Sequence, residues 1–490
     1  MTRCIGLLFL VFAGFNTYAQ ESFFAVSHTT THGYDIRQSF HSVNQTQDQF
    51  VIYVADFEFI YAHGFDSDLQ TLGRLTCPIP LKTYGTTLVQ SSFGETHTVI
   101  VSNKNLRKIA YAEFDFKKRV TNFGELDIDF KKQDFLKAFT HNNEPIILSV
   151  DRKESKLHIY RILADYSFTH KEIDLSAFEF VNYKGRVTDP DKVISDMSFG
   201  LTGINLDQRS NYPISMGQAA SKTKLYLDTD QLTFVLDNYY KYSQILKVNI
   251  VTGESSLTNI AKPELAKDSP EIRSNSFLKG EDLAQIVFHR DTAKIAITNI
   301  RSSEVLQNFT VVKGEDFPNL NEPLLLKNSD KDKRKEIESE VFFRKLRNNE
   351  KLGIVLNEID GYNQLNYGIY VKQSATSSGG FGFVVGFSIV GGAFGGAIGF
   401  GFSEVINPNM VSFAVTANGT SAEAMGLYSE TYQYVPEATV SQTIFDKILE
   451  YRRENKKGRP VVLFDFNGQT IFGAYFSKDN YIDMFTYPLD

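Results

Sequence analysis

The stretch 135–175 constrains this chain more than any other, because it reads as four short strands in succession. They are FLKAF (135–139), IILSV (146–150), KLHIYRIL (156–163) and HKEIDL (170–175). The second is apolar and β-branched, the third alternates, and the polar breaks NNEP and DRKES separate them. Such a unit makes one small antiparallel sheet with more apolar face than it can cover. It is stable only when stacked against others like it.

Copies of the unit are present. TVIVS (98–102) corresponds to IILSV, and Lys108-Ile109-Ala110-Tyr111 lies 48 positions before Lys156-Leu157-His158-Ile159. Glu125-Leu126-Asp127-Ile128 lies 47 before Glu172-Ile173-Asp174-Leu175, and FVIYV (50–54) keeps the phase one period further back. Downstream the spacing breaks but the strand pairs persist: 231–237 with 244–250, 285–289 with 294–300, 351–358 with 363–371, and 459–466 with 469–476. Asp360-Gly361 and Asn467-Gly468 join the last two pairs and mark tight hairpins. Repetition at this period predicts an all-β, β-propeller-like ring of about seven (six to eight) four-stranded antiparallel blades. FFAVS (23–27) is placed to complete the last sheet. A run of β-sandwiches is the competing architecture.

Residues 1–19 stand apart. Arg3, the apolar run 5–15 and Thr17-Tyr18-Ala19 have the order of a cleaved signal peptide. Export to the periplasm, outer surface or medium is therefore expected, with a mature chain from Gln20. The formal charge is −7 at pH 7, or −8 without Arg3. That balance argues against nucleic acid as a partner. Cys4 and Cys77 are the two cysteines, so the processed chain holds no internal disulfide. Cys77 reads as a small buried apolar side chain rather than a nucleophile.

The expected domains are blades over 20–375 with a long loop at 177–222, an apolar insertion at 376–404, and a closing segment 405–490. The 177–222 loop, with little alternation, is a candidate lid over one end of the central channel. The charged run 327–340 reads as a solvated loop or helix face. Met410–Thr416 reads as strand. Ser441–Lys457 has helical spacing, with Ser441 as N-cap and Gly458 as terminator.

Residues 379–402 hold ten glycines and no charge. As a hairpin turning at Gly391-Gly392, Phe381 faces Phe402, Phe383 faces Phe400 and Ile389 faces Phe394. These large side chains, with Phe387, share one face, and the opposite face is almost entirely small. A face of this kind suits docking on a partner or insertion in a membrane, so Phe381, Phe383, Phe387, Ile389, Phe394, Phe400 and Phe402 are the candidate contact residues. Burial inside the protein and a spanning helix are the other readings.

Catalytic and metal motifs are missing. The nine histidines show no metal-type spacing, and HExxH, GxSxG and phosphate-loop patterns do not occur. The absence of tryptophan removes the WD dipeptide of one propeller class. No catalytic residue, metal ligand or cofactor is therefore assigned. The expectation is an exported, non-enzymatic binding or scaffold protein with a protein or glycan ligand. An exported hydrolase with its site at the channel mouth and a membrane-inserting hairpin protein are the alternatives.

Overall fold

The structure, a computed structural model, describes residues 24–488 apart from 32–35, 37, 45, 57, 81–82, 104, 131, 196–203, 208–211, 266–270, 329–332, 348–350, 372–408, 411–412, 414–419, 456 and 477. Short alternating strands joined by tight turns give antiparallel sheets, and the chain builds seven of them as the blades of a ring. Blade 1 uses Gln38–Asn44, Gln49–Ala55, Phe59–Phe65 and Thr71–Pro78. Blade 2 runs from Thr86–Phe93 to Val120–Leu126, and blade 3 comprises Gln133–His141, Glu144–Asp151, Lys156–Ile162 and Phe168–Asp174. Blade 4 runs from Thr223–Asp228 to Ser255–Ala261, and blade 5 from Arg273–Lys279 to Val305–Val312. In each of these the first strand lies innermost.

Blade 7 closes the ring. Its strands Arg459–Phe466, Gln469–Phe476 and Tyr481–Pro488 are joined by Phe24–Ser27, which pairs antiparallel with the last of them, Ala25 opposite Asp483. The expected role of the N-terminal strand is therefore the one observed. At the two predicted hairpins Asp360, Gly361, Asn467 and Gly468 all have positive φ, the backbone that a tight primed turn requires.

Six of the seven neighbouring pairs of blades face each other across an apolar layer. Phe40 and Tyr53 meet Val99 and Phe114 between blades 1 and 2. Ile100 and Ile109 meet Ile147 and Tyr160 between blades 2 and 3, and Leu157 meets Phe234 between blades 3 and 4. A single larger cluster joins blades 4, 5 and 6, and Phe50 and Ile52 meet Phe464 and Ile471 where blade 7 returns to blade 1. Truncating any one of these buried rings to alanine costs about 3–5 kcal/mol.

Blade 6 explains why the sequence period fails. Its order is Lys333–Glu336, Leu325–Asn328, Thr420–Tyr428, Tyr362–Val371, Lys351–Ile359, so its outer strands come first in the chain and its innermost strand comes third. The run 327–340, read as a solvated loop or helix face, is exposed at Arg334, Lys335, Glu336, Glu338 and Glu340 and starts a helix at Ser339, but it also supplies strand residues of that outer hairpin. Lys327 reaches Glu423 of the neighbouring strand at 2.9 Å, which lets a charged segment pair at the blade edge. The stretch 410–416, read as strand, is helical at Met410 and Phe413. Both side chains are buried against blade 7, where an extended strand would find no open edge to join.

Besides the helical residues at 409, 410 and 413, the chain forms α1 (Asp191–Ile194), α2 (Met216–Ala219), α3 (Ser339–Arg347) and α4 (Ile444–Glu454). For α4 the sequence-based start is corrected by two residues. Thr443 caps it, exchanging hydrogen bonds with Asp446, whereas Ser441 bonds Asp360 in blade 6. Phe445, Ile448 and Tyr451 of α4 pack on Leu463, Phe472 and Phe485. The helix thus covers the face of blade 7 that looks toward blade 6.

Buried His28, His63 and His97 and half-buried His41 lie in and beside blade 1. His28 faces His63 at 3.1 Å, His41 stacks on Phe464, and His97 meets Ser42 at 3.0 Å. Burial lowers all four, His28 and His97 to about 4 and His41 and His63 to about 3. Above pH 6.5 folded and unfolded chains both hold them neutral, and their full contribution is present. Between 6.5 and about 4 the unfolded chain takes up protons that the fold excludes, so stability falls as pH falls. The urea midpoint is expected to drop between pH 7 and pH 5, and His63→Leu to remove about one proton, ~1.4 kcal/mol per pH unit, from that slope. A midpoint constant across this window would contradict the assignment.

Candidate functional site

The segment joining blades 3 and 4 supplies the site. It begins with a two-stranded hairpin, Phe180–Val181 with Val187–Thr188. Phe180 and Val181 are buried, and Gln244 of blade 4 ties the hairpin down by accepting from the Val181 amide and donating to the Glu179 carbonyl. The tip points outward, with Tyr183 69% and Val187 64% exposed. Gly185, at φ 72°, lies so close to Tyr239 that a β-carbon there would meet the ring at 2.7 Å.

Later the same segment enters the ring. Ile204–Asp207 pairs in parallel with the innermost strand of blade 4, on its axial side. Tyr212 then donates to Asp465 of blade 7 at 2.6 Å, and the Ile214 amide donates to Asn357 of blade 6 at 3.1 Å. Helix α2, capped by Ser215 and Gln218, lies against Gly353, where any side chain would strike Met216. Ala219 and Ala220 are buried, and Asn275 of blade 5 donates to the carbonyls of both Ser221 and Leu352. Of the segment expected to lie over one mouth, the described parts thus lie beside blade 4 at 204–207 and bond to blades 5, 6 and 7 at 212–221. Its residues 212–221 are mostly buried. Tyr212 packs on the blade 7 side, while Met216, Ala219 and Ala220 join the core of blades 4, 5 and 6.

Where the segment ends, charge is buried. Asp237 accepts from Lys262 at 2.9 Å, Lys224 at 3.3 Å, the Ser243 hydroxyl at 2.8 Å, and both the amide and hydroxyl of Ser276 at 2.9 and 2.7 Å. Burial alone would raise this carboxyl, but Lys262, Lys224 and Lys222 outweigh it and hold it far below the carboxylate range. Burial pushes Lys222 down to about 7 and Lys224 to about 8, with Asp237 pulling the other way. Lys224 also bonds the Ser221 carbonyl and Asn275, Lys262 the Tyr239 carbonyl and Ser274, and Lys222 the Ser274 carbonyl. The network locks the end of the inserted segment to blades 4 and 5. A carboxylate with five donors is not available as a general base.

The turn above this network is Asp237-Asn238-Tyr239-Tyr240-Lys241-Tyr242. Because Thr223 pairs with Leu236, this turn lies at the end of blade 4 where the innermost strand begins. Tyr239 packs edge-on against Tyr240 and Tyr242, with ring centroids 5.0 and 5.1 Å away. Lys241 lies over Tyr240 at 5.8 Å, and Lys184 over Tyr183 at 5.3 Å. Four partly or largely exposed tyrosines, with lysines beside them, therefore form a rim anchored on a rigid base. Tyrosine offers a large, stiff contact area with a polar tip, the usual composition of a recognition surface.

The sequence-predicted contact residues Phe381, Phe383, Phe387, Ile389, Phe394, Phe400 and Phe402 lie outside the described residues. The tyrosine rim was not singled out, although the run NYYKY (238–242) carries its signal. The Lys–Asp network could not be read, because its members are far apart in sequence and look like ordinary surface residues. Cys77 is buried and burial raises its thiol to about 11, as expected of an inert side chain. No helix among the described residues is long and apolar enough to cross a membrane.

No known protein family matches the sequence, and no curated protein resembles it. Among solved structures, the β-propeller domain of the Trilobed protease from Pyrococcus furiosus aligns over 93% of this chain and 97% of its own, at 7% identity and a TM-score of 0.32. The Dos1 propeller aligns over 56% and 60%, at 13% identity and 0.28. The dihydro-heme d1 dehydrogenase NirN aligns over 59% of this chain and half of its own length, at 11% and 0.29. At these scores the likenesses carry no weight. The β-propeller fold rests on the seven sheets and their order.

Asp237→Asn leaves Lys224 and Lys262 buried without a counter-charge. The expected loss is about 3–5 kcal/mol, read as a lowered melting temperature. An unchanged melting temperature would show that the network does not hold the segment.

Proposed function

We propose that this chain is an exported, non-enzymatic binding protein of the cell envelope or extracellular space, which holds a protein or glycan on the loop face above blades 4 and 5. One observation carries the reading. Exposed Tyr183 and half-exposed Tyr239, Tyr240 and Tyr242 stand on the Lys–Asp network of blades 4 and 5, whose carboxylate, Asp237, already accepts from five donors. That arrangement favours recognition over acid–base chemistry. The uncharged stretch 379–402 would offer a second, apolar contact, as its alternation of large and small residues supports.

Export is supported by the order of residues in 1–19, and N-terminal sequencing of the secreted or periplasmic protein is expected to begin at Gln20. A photo-reactive residue at Tyr240 is expected to capture the partner, whereas one at Val251, in a turn at the other end of blade 4, is not. Tyr183→Ala with Tyr240→Ala should weaken binding of the captured partner about tenfold or more, in the range of hot-spot losses. Capture from Val251 but not Tyr240 would contradict the placement. Hydrolysis of glycan or peptide substrates by the purified chain would contradict the non-enzymatic reading.

A further inference from the structure

The outer half of blade 3 holds a second constellation, unrelated to the rim. The strands Lys156–Ile162 and Phe168–Asp174 pair antiparallel, with His158 opposite Glu172 and Tyr160 opposite His170. Side chains alternate across a strand, so His158, Tyr160, His170 and Glu172 all emerge on one face. His170 and Glu172 are neighbours on that face of the outer strand, and His158 lies opposite one and diagonal to the other. This is the range at which cross-strand side chains meet.

The geometry goes beyond proximity. His158 Nδ1 and His170 Nε2 are 3.0 Å apart, and His158 Nδ1 lies 4.0 Å from Glu172 Oε1. One ligand atom from each of the three side chains falls within 4.8 Å of the other two. Donors bound tetrahedrally to zinc at 2.0–2.2 Å are about 3.3–3.5 Å from one another, so small rotations close the set around an ion. The neighbours fix the orientation. Tyr160 stacks on the His170 ring at 4.3 Å with 4° between planes, and the two imidazoles are parallel within 17°. Lys156 holds the far oxygen of Glu172 at 3.0 Å and also reaches Glu154 at 3.3 Å, which leaves Oε1 turned toward the histidines. His158 is buried while His170 and Glu172 are exposed, so one wall is fixed and the entry is open.

We propose that His158, His170 and Glu172 bind a divalent transition metal of the zinc type. The two-imidazole, one-carboxylate set suits zinc rather than calcium or magnesium, which take oxygen ligands. Three protein ligands leave a fourth position for water. The ion would clamp the two outermost strands of blade 3, where the chain is least covered by neighbouring blades. No other His, Cys, Asp or Glu cluster among the described residues brings three ligand atoms this close. His28 and His63, for instance, face each other at 3.1 Å with the Arg74 cation beside them.

The test is zinc titration of the chelator-stripped full chain against a chromogenic competitor, with cobalt(II) absorption as a second readout. One equivalent of zinc is expected to bind, with the intense visible bands of four-coordinate cobalt. His170→Ala and Glu172→Gln should weaken zinc binding by about a hundredfold or more and remove the cobalt bands. Both side chains are exposed, so an unchanged melting temperature of the metal-free variants would show that the fold is intact. His289→Ala, in blade 5, should leave binding unchanged. Absence of stoichiometric zinc binding, or binding that survives His170→Ala and Glu172→Gln, would overturn the site.

Discussion

An antiparallel sheet of four short strands has two faces, and in this chain both are apolar. Everything else follows from the need to cover them. Val99, Val101 and Ala112 of blade 2 turn toward blade 1, while Ile100 and Ile109 turn toward blade 3. Each sheet therefore needs two neighbours, and a linear stack would leave its end sheets bare. A ring has no ends. The strand Phe24–Ser27 joins the last three strands of the chain for that reason, and Val26 enters the apolar layer shared by blades 7 and 1.

The ring is not uniform. Six of its interfaces are sheet against sheet, but the space between blades 6 and 7 is filled by other parts of the chain. Helix α4, Met410, Phe413 and Tyr212 cover blade 7, and α2 covers the Gly353 side of blade 6. The seam is thus built from segments that are distant in sequence. The inserted segment stays in place because its polar end is bonded to blades 4 and 5. Buried ammonium groups are costly without a counter-charge. Lys224 and Lys262 are tolerated because Asp237 and several oxygens surround them.

Much of the ring was legible from residues alone. The phase shared by FVIYV, TVIVS and IILSV, together with the Asp-Gly and Asn-Gly turns, fixes strand pairs whose edges the structure reproduces closely. The polar NNEP and DRKES breaks fall at the turns between the strands of blade 3. Of blade 6 only the pair 351–358 with 363–371 was legible, because its outer hairpin, a charged run, precedes its inner strand. Period counting assumes that chain order and spatial order agree. The path of 204–221 was hidden for a different reason. Its residues 212–221 lack a strand or long-helix period, and they are placed by bonds to Asp465, Asn357 and Asn275 on three different blades. His158, His170 and Glu172 escaped motif reading because their proximity depends on strand register, which sets His158 opposite a residue 14 positions later.

Closure by the first strand is the claim on which the ring depends, and hydrogen exchange tests it most directly. If Phe24–Ser27 is the edge strand of blade 7, the amides that face Tyr481–Pro488 should exchange slowly and together with those of their partner strand. Exchange of 24–27 at the rate of an unstructured terminus, while 481–488 stays protected, would contradict the closed ring.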